Sequence, residues 1–582
     1  MPGFMGKIGE IREGNLFGVN KNQSLMEDQK LFTDFYVERR TVNKFIEDKV
    51  FEEDNNYFVL VEGVILNKHE LISKYNVKSF FEAVTVMYEK CGDTFFNEFR
   101  GSFSGIFYDK KSDKKLIYTN HMGEKQVYYS IYNDELIFGS EVNDLVNYFN
   151  LNNIGYYLNE DAAYFMLTFG FMLEDQTLFK EFHKLLPGHY ILSNQNGYQI
   201  IKYYELDNTP NDKESESEII ENIDRLFRQA VSRAFEKDKE YGYKHLVALS
   251  GGLDSRMTTW VAYDMGYSEN IINYTFSQSD YLDETIPKKI ASDLKHEWIF
   301  KSLDNGIFLK DIDNVVKMSY GNALYYGLAH GKSCLDLIDF SKMGLVHTGM
   351  LGDVVIGTFY NSLKESKDYD PSEGAYSKII SNKIPEIKTA YENEEIYKFY
   401  ARGFNGANQG LLVAQEHTET YSPFCDVDFM DYCLKIPVKY RYKHYIYKKW
   451  ILARYPQSAN YAWEKINAKI TDPLINILGR EVPVKRVPSM SFNFLLKRMG
   501  IKKSEIASKQ HMNPLDYWYE TNSDLKEFIE SYYKSNIERL NSYSELKEDC
   551  ELLFRNGTNI EKNQVLTLLA VLKIYFGEDN ER

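Results

Sequence analysis

Through residues 1–200 the apolar positions come in short bursts set between turn-forming residues. Tyr57-Phe-Val-Leu-Val-Glu-Gly-Val-Ile-Leu66, Gly105-Ile-Phe-Tyr-Asp109, Lys115-Leu-Ile-Tyr-Thr119 and Glu135-Leu-Ile-Phe138 are rich in β-branched and aromatic residues, with Asn, Asp, Gly or Lys at their ends. That texture predicts short strands, interrupted by helical stretches such as 79–90, and hence a layered α+β domain over 1–206. The polar run Asp207-Asn-Thr-Pro-Asn-Asp-Lys-Glu-Ser-Glu-Ser217 is the linker candidate, 207–217. After it the pattern changes. A helix over 218–236 precedes the apolar strand His245-Leu-Val-Ala-Leu249, and a glycine loop and a second helix follow. Next come strand Ile271–Phe276, a helix near 284–295 and strand Glu297–Phe300. Strands alternating with helices predict an α/β domain over 218–582, built on a parallel sheet, with a mostly helical portion after residue 380.

Composition narrows the classes. With 69 Lys and Arg against 85 Asp and Glu, the net charge is −16, which argues against a general nucleic-acid binder because phosphate backbones are repelled. Five scattered cysteines, none in Cys-x-x-Cys spacing, argue against a disulfide framework or a cysteine metal site and fit a reducing cytoplasm. The sequence has no run of about 18 apolar residues, so no membrane span is expected, and it shows no signal-peptide pattern.

The densest chemistry is Ser250-Gly-Gly-Leu-Asp-Ser255, between an apolar strand and a helix. Two glycines let the backbone approach an anion, and the helix start aims free N–H groups at it. Ser250 and Ser255 can donate hydroxyl bonds to phosphate. Asp254 would repel phosphate unless Mg²⁺ lies between them. An ordinary serine-capped turn is the plain alternative, and the strand–loop–helix setting weighs against it.

Ser-Gly-Gly-x-Asp-Ser resembles the pyrophosphate loop of the ATP pyrophosphatase superfamily, and the residues downstream are similar to asparagine synthetase and its relative β-lactam synthetase. Asp283-Glu284 opens the next helix, and Thr348-Gly-Met-Leu-Gly-Asp353 resembles a second phosphate-side loop. Ser422-Pro-Phe-Cys-Asp426 and Leu434-Lys-Ile-Pro437 match further family motifs. The resemblance implies ATP and Mg²⁺ as cofactors, with Asp254 and Asp353 as metal ligands. It implies nucleotide contacts from Leu249, Ser250, Gly251, Gly252, Asp254, Ser255, Thr275 and Gly349. Lys449 resembles a phosphate-side lysine, and a gapless count from it places the ligase lysine at Lys469, with Lys465 as competitor.

The first half is similar to an Ntn-type class II glutamine amidotransferase. The carrying motifs are Phe99–Asp109, Gly123-x-Lys125 with Tyr128-Tyr129, Ile137–Glu141, Thr177–Lys180 and Leu186–Tyr190. The departures are telling. Pro2 stands where that family has its nucleophilic cysteine, Glu62 replaces the oxyanion-binding asparagine, and Val64 replaces a substrate-associated glutamate. The implied function is an AMP-forming amide ligase that joins a carboxylate, from a peptide or small acid, to an amine without hydrolysing glutamine. Met350 occupies the position of the β-lactam synthetase tyrosine, which disfavours a β-lactam product. Lasso-peptide macrolactam closure and amidation of a small or sugar acid with free ammonia both remain, as do a tRNA-modifying pyrophosphatase and an inactive scaffold. A partner protein or precursor peptide is a possible ligand. The cluster Lys485, Arg486, Lys497, Arg498, Lys502, Lys503 could meet an acidic partner, although a solvated face is the ordinary reading.

Overall fold

The computed structural model describes residues 2–11, 17, 25–477, 480–487 and 508–577. The first half contains two six-stranded antiparallel sheets. One runs His183–Lys184, Tyr128–Tyr132, Glu135–Gly139, Gly3–Ile8, Phe35–Thr41, Met26–Leu31; the other runs Gly197–Lys202, His189–Asn194, Lys114–Thr119, Gly101–Asp109, Tyr57–Ile65, Phe51–Glu53. Strand Tyr57–Ile65 shows why its sequence is almost wholly apolar. Side chains alternate across a strand. Phe58 and Leu60 enter the core between the sheets with Phe35, Val37 and Phe138, while Val59 and Val61 pack outward with Phe80, Val84 and Met87 of helix Phe80–Cys91. On the far side, Met5 and Ile137 pack on Val142 and Leu145 of helix Val142–Leu151. The result is a helix–sheet–sheet–helix stack.

The second half is built on a five-stranded parallel sheet in the order Glu297–Ser302, Ile271–Ser277, Lys244–Ala248, Met343–His347, Thr420–Tyr421. Connections leave Lys244–Ala248 toward one edge and later return to its other side. This is the arrangement that opens a crevice beyond the carboxyl ends of the strands. The helix before the sheet runs Glu216–Glu240, because Ser215 and Glu218 close a capping box and start it two residues earlier than the apolar period suggests. The polar run 207–217 is not loose. Asn208 donates to Glu395 at 2.9 Å, and Asn211 N–H donates to the Lys435 carbonyl at 2.8 Å. The carboxyl-terminal helix Asn559–Tyr575 shares one core with Glu160–Phe169 of the first half, so the halves pack together. Among the described residues no helix is long and apolar enough to cross a membrane.

Candidate functional site

Two cavities meet where the parallel sheet ends. The first, about 380 Å³, is lined by Leu249, Ser250, Gly252, Asp254, Ser255, Thr275, Gly349 and the apolar Phe276, Leu328 and Val346. The second, about 400 Å³, is lined by Asp353, Arg402, Gln409, Phe171, Phe359 and Tyr376. Gly327, Leu328, Met350, Ala407 and Gly410 belong to both walls.

The loop after strand Lys244–Ala248 is held by its own side chains. Ser250 N–H donates to Ser255 Oγ at 2.9 Å, and the two hydroxyls lie 2.9 Å apart. Gly251 N–H donates to Asp283 Oδ1 at 2.7 Å. Helix Asp254–Asp264 then begins, its first N–H groups lacking partners within the helix. The 348–353 loop packs directly on this turn. A Cβ at Gly349 would lie 2.3 Å from Ser255 N, so only glycine allows the approach. Leu351 follows with φ +65°, a left-handed conformation that costs energy in a branched residue.

The electrostatics centre on two carboxylates. Asp254 is pushed well above the usual carboxylate range by burial and by Asp353, against a 2.8 Å hydrogen bond from Tyr447 Oη. Asp353 is raised by burial too, while Lys465 and Arg402 pull it down. Among the described residues neither carboxylate has a Lys or Arg nitrogen within 4.0 Å. Asp283 is raised to about 6, chiefly by burial, with the Gly251 hydrogen bond opposing. His444 is lowered to about 3 by burial and by Lys465 and Lys448.

Not all expected site residues gather here. Thr275 lines the first cavity, but its hydroxyl is engaged, donating to the Leu249 carbonyl at 2.6 Å and accepting from Trp298 Nε1 at 3.0 Å. Lys449 is exposed on helix Tyr445–Arg454, 3.5 Å from Glu216, and Lys469 is exposed with its backbone N–H on Asp472; neither lines a cavity. Lys465 is exposed as well and lines neither cavity, but its charge favours the ionised forms of Asp254 and Asp353. Its segment is anchored to the 250–255 loop: Glu464 N–H donates to the Gly251 carbonyl at 3.0 Å, and Arg256 donates to the carbonyls of Gly251 at 3.2 Å and Ala462 at 2.5 Å. Sequence reasoning passed over Arg256, although it directly follows the loop, and over Tyr447 and Gln409. Of the basic cluster, Lys485 is exposed; Lys497, Arg498, Lys502, Lys503 and the Arg486 side chain lie outside the described residues.

In the first half, Pro2, Glu62, Ser104 and Lys125 surround a void of only about 10 Å³. Glu62 is not a bare carboxylate. Lys49 Nζ lies 3.2 Å from Glu62 and 3.0 Å from Glu419, and Lys125 Nζ lies 2.6 Å from Glu419. All four side chains are buried. Burial opposes the charge on Glu419, yet Lys125 and Lys49 bring it down to about 2.

Residues 47–204 match the model of a glutamine amidotransferase domain. The chain is 25% identical to amidase chyE of Penicillium rubens over 224 residues, 37% of this chain and 32% of that protein. It is 24% identical to a putative glutamine-hydrolyzing asparagine synthetase 2 of Methanocaldococcus jannaschii over 358 residues, 59% of this chain and 68% of that one. Against glutamine-hydrolyzing asparagine synthetase 1 of Bacillus subtilis it is 24% identical over 271 residues, 45% and 42% of the two chains. The alignments thus span a third of the first relative's length and under half of the third's. These likenesses support an asparagine-synthetase-like family for the chain.

Proposed function

We propose that this chain is an ATP-dependent amide ligase that adenylates a carboxylic acid, releases pyrophosphate, and passes the acyl group to an amine without hydrolysing glutamine. Residues 1–206 are then a degenerate amidotransferase-like domain, 207–217 the connecting segment and 218–582 the ligase domain. The observation that carries the reading is the meeting of two cavities at Asp254 and Asp353. ATP takes the first cavity, with its phosphates against Ser250–Ser255 and the start of helix Asp254–Asp264, where unpaired N–H groups favour an anion. The acid takes the second.

Asp254 and Asp353 fit a Mg²⁺ ion: they are half-buried, Asp353 raises the cost of ionising Asp254, and together they form an all-oxygen donor set. Bound there, the ion would offset the charge of the carboxylates and phosphates together. Lys465 rather than Lys469 is the lysine we assign to stabilising charge as pyrophosphate leaves and the acyl group is transferred. Met350, at the junction of the cavities, has no proton-accepting group, so the amine must arrive already able to attack. A peptide amine closing a macrolactam, as in lasso cyclization, or free ammonia meets that requirement.

Independence from glutamine is supported by Pro2, by the Lys49–Glu62 pair, and by a void with room for about one water rather than an amino acid. The test is ATP–pyrophosphate exchange across a panel of peptide and small acids. Acid-dependent incorporation of labelled pyrophosphate into ATP is expected. No exchange with any acid, together with ADP as product, would overturn the assignment.

A further inference from the structure

Resting on the ligase reading, we propose that the amidotransferase-like half fixes the ATP site through Glu419, a positioning residue whose carboxylate is held from across the interface by Lys49 and Lys125. Glu419 is 0% exposed. Its carboxylate lies 3.0 Å from Lys49 Nζ and 2.6 Å from Lys125 Nζ, and both lysines belong to the first half. Among the described residues, no Lys or Arg of the ligase half lies within ion-pair distance of it. A carboxylate taken wholly out of water is tolerated only beside an opposite charge. The backbone at 419 must therefore stay where the two ammonium groups can reach it.

That backbone leads straight to the nucleotide. Glu419 precedes the edge strand Thr420–Tyr421 of the parallel sheet. Its carbonyl accepts from Val346 N–H at 2.9 Å, and the Tyr421 carbonyl accepts from Thr348 N–H at 2.9 Å. Ser422 Oγ donates to the Met350 carbonyl at 2.9 Å. Three bonds from 419–422 thus hold the start of the 348–353 loop, whose Gly349 packs on Ser255 N and whose last residue is Asp353. Val346, Thr348, Met350 and Thr420 all line the first cavity.

The neighbouring wall is gripped from the same place. Ala407, Gly410 and Ala414 line the first cavity. Between and beside them, Asn408 Nδ2 donates to the Met122 carbonyl at 2.7 Å, and Gln415 Nε2 donates to the Glu124 carbonyl at 3.1 Å. Both acceptors lie in the loop that carries Lys125. That loop is itself pinned, since Glu124 N–H and Lys125 N–H donate to Asn120 Oδ1 at 2.9 and 3.3 Å. Lys125 belongs to the Gly123-x-Lys125 motif by which the first half resembles an amidotransferase. Here its ammonium serves the ligase half.

The test removes the charges in matched pairs. Glu419→Gln alone leaves Lys125 buried without a partner, whereas Lys125→Met with Glu419→Gln leaves no lone charge, because Lys49 keeps Glu62 at 3.2 Å. The urea midpoint of the full chain should fall in the single variant and return toward the parent's in the double. The double should still expose the positioning role. Its Val346 and Thr348 amides should exchange hydrogen about tenfold faster or more. By calorimetry its affinity for α,β-methylene-ATP with Mg²⁺ should drop about tenfold, the scale of one charge-assisted contact, while affinity without Mg²⁺ stays within a few-fold, since the 250–255 loop is untouched. Parental amide exchange and parental affinity in a double variant of restored midpoint would overturn the inference, as would no binding of the analogue by the parent. If the double variant does not fold, Lys125→Met, in which Lys49 still pairs Glu419, should show the same faster exchange at Thr348, and unchanged exchange there overturns the inference. ATP–pyrophosphate exchange separates the two ideas. A parent that exchanges with no acid, beside a double variant that loses loop protection and Mg²⁺-dependent affinity, removes the ligase alone; an active parent matched by its double variant in every readout removes this role alone.

Discussion

Replacing Lys49 with methionine should destabilise the protein far more than removing an exposed lysine. The ammonium is fully buried, 3.2 Å from Glu62 and 3.0 Å from Glu419, and it donates to Thr41 Oγ1 at 2.7 Å. Without it Glu62 faces no cation, and Glu419 keeps only Lys125 at 2.6 Å. Breaking a buried pair from one side costs about 3–5 kcal/mol, because the surviving charge stays buried without compensation. Two carboxylates lose a partner here, so the upper end, about 5 kcal/mol, is expected. Adding Glu62→Gln should return roughly half of it, since one orphaned charge is removed. Urea unfolding followed by tryptophan fluorescence measures both variants, with Lys449→Ala as an exposed control that should leave the midpoint unchanged. A Lys49→Met midpoint equal to the parent's would refute the reasoning, as would a Glu62→Gln addition that destabilises further.

Lys465→Ala should lower amide formation by roughly 10²–10³ while ATP binding stays within a few-fold, and Lys469→Ala should leave product formation near parental; the reverse pattern, in parallel kinetics, would restore the gapless count from Lys449. Asp254→Asn and Asp353→Asn should each cut AMP formation at least about 10²-fold, and a variant that keeps parental turnover with unchanged Mg²⁺ dependence would remove that aspartate from the metal site. Asp283 gives a pH signature in the ligand-free protein. Its folded pKa of about 6 lies above its ordinary value of 3.8, so folding disfavours its charged form, and stability gains as pH falls through 6 toward 4. Relative to Asp283→Asn, the parent should gain up to about 3 kcal/mol between pH 7.5 and pH 4. Parallel stability curves for the two proteins would contradict it.

Much of the frame was legible because burial writes itself into composition. Strand Tyr57–Ile65 is apolar but for Glu62 since both its faces meet a core, and the Ser250–Ser255 loop announced itself by glycines set between a strand and a helix. What escaped depends on contacts that no local period encodes. Glu62 is an isolated charge in the sequence, yet its partner Lys49 also serves Glu419 from the other half. The gapless count to Lys469 runs along the sequence alone, whereas in the fold Trp463 bridges to Ala468 and Asn467 has φ +48°, a tight turn within which Lys465 is the lysine whose charge bears on Asp254 and Asp353. The run at 207–217 has linker composition, and only the fold reveals that Asn208 and Asn211 pin it. The second cavity draws Phe171, Met350, Arg402 and Gln409 from separate segments, so no single motif could mark it.

The most direct test of the central claim follows nucleotide and nitrogen in one reaction. The full chain is incubated with ATP, Mg²⁺ and an acid that supports exchange, with either glutamine or a free amine as nitrogen source, and AMP, ADP, amide product and glutamate are quantified together. The account predicts AMP and amide in equal amounts with the free amine, and no glutamate above background with glutamine. Glutamate released in step with AMP, or ADP as the nucleotide product, would contradict it.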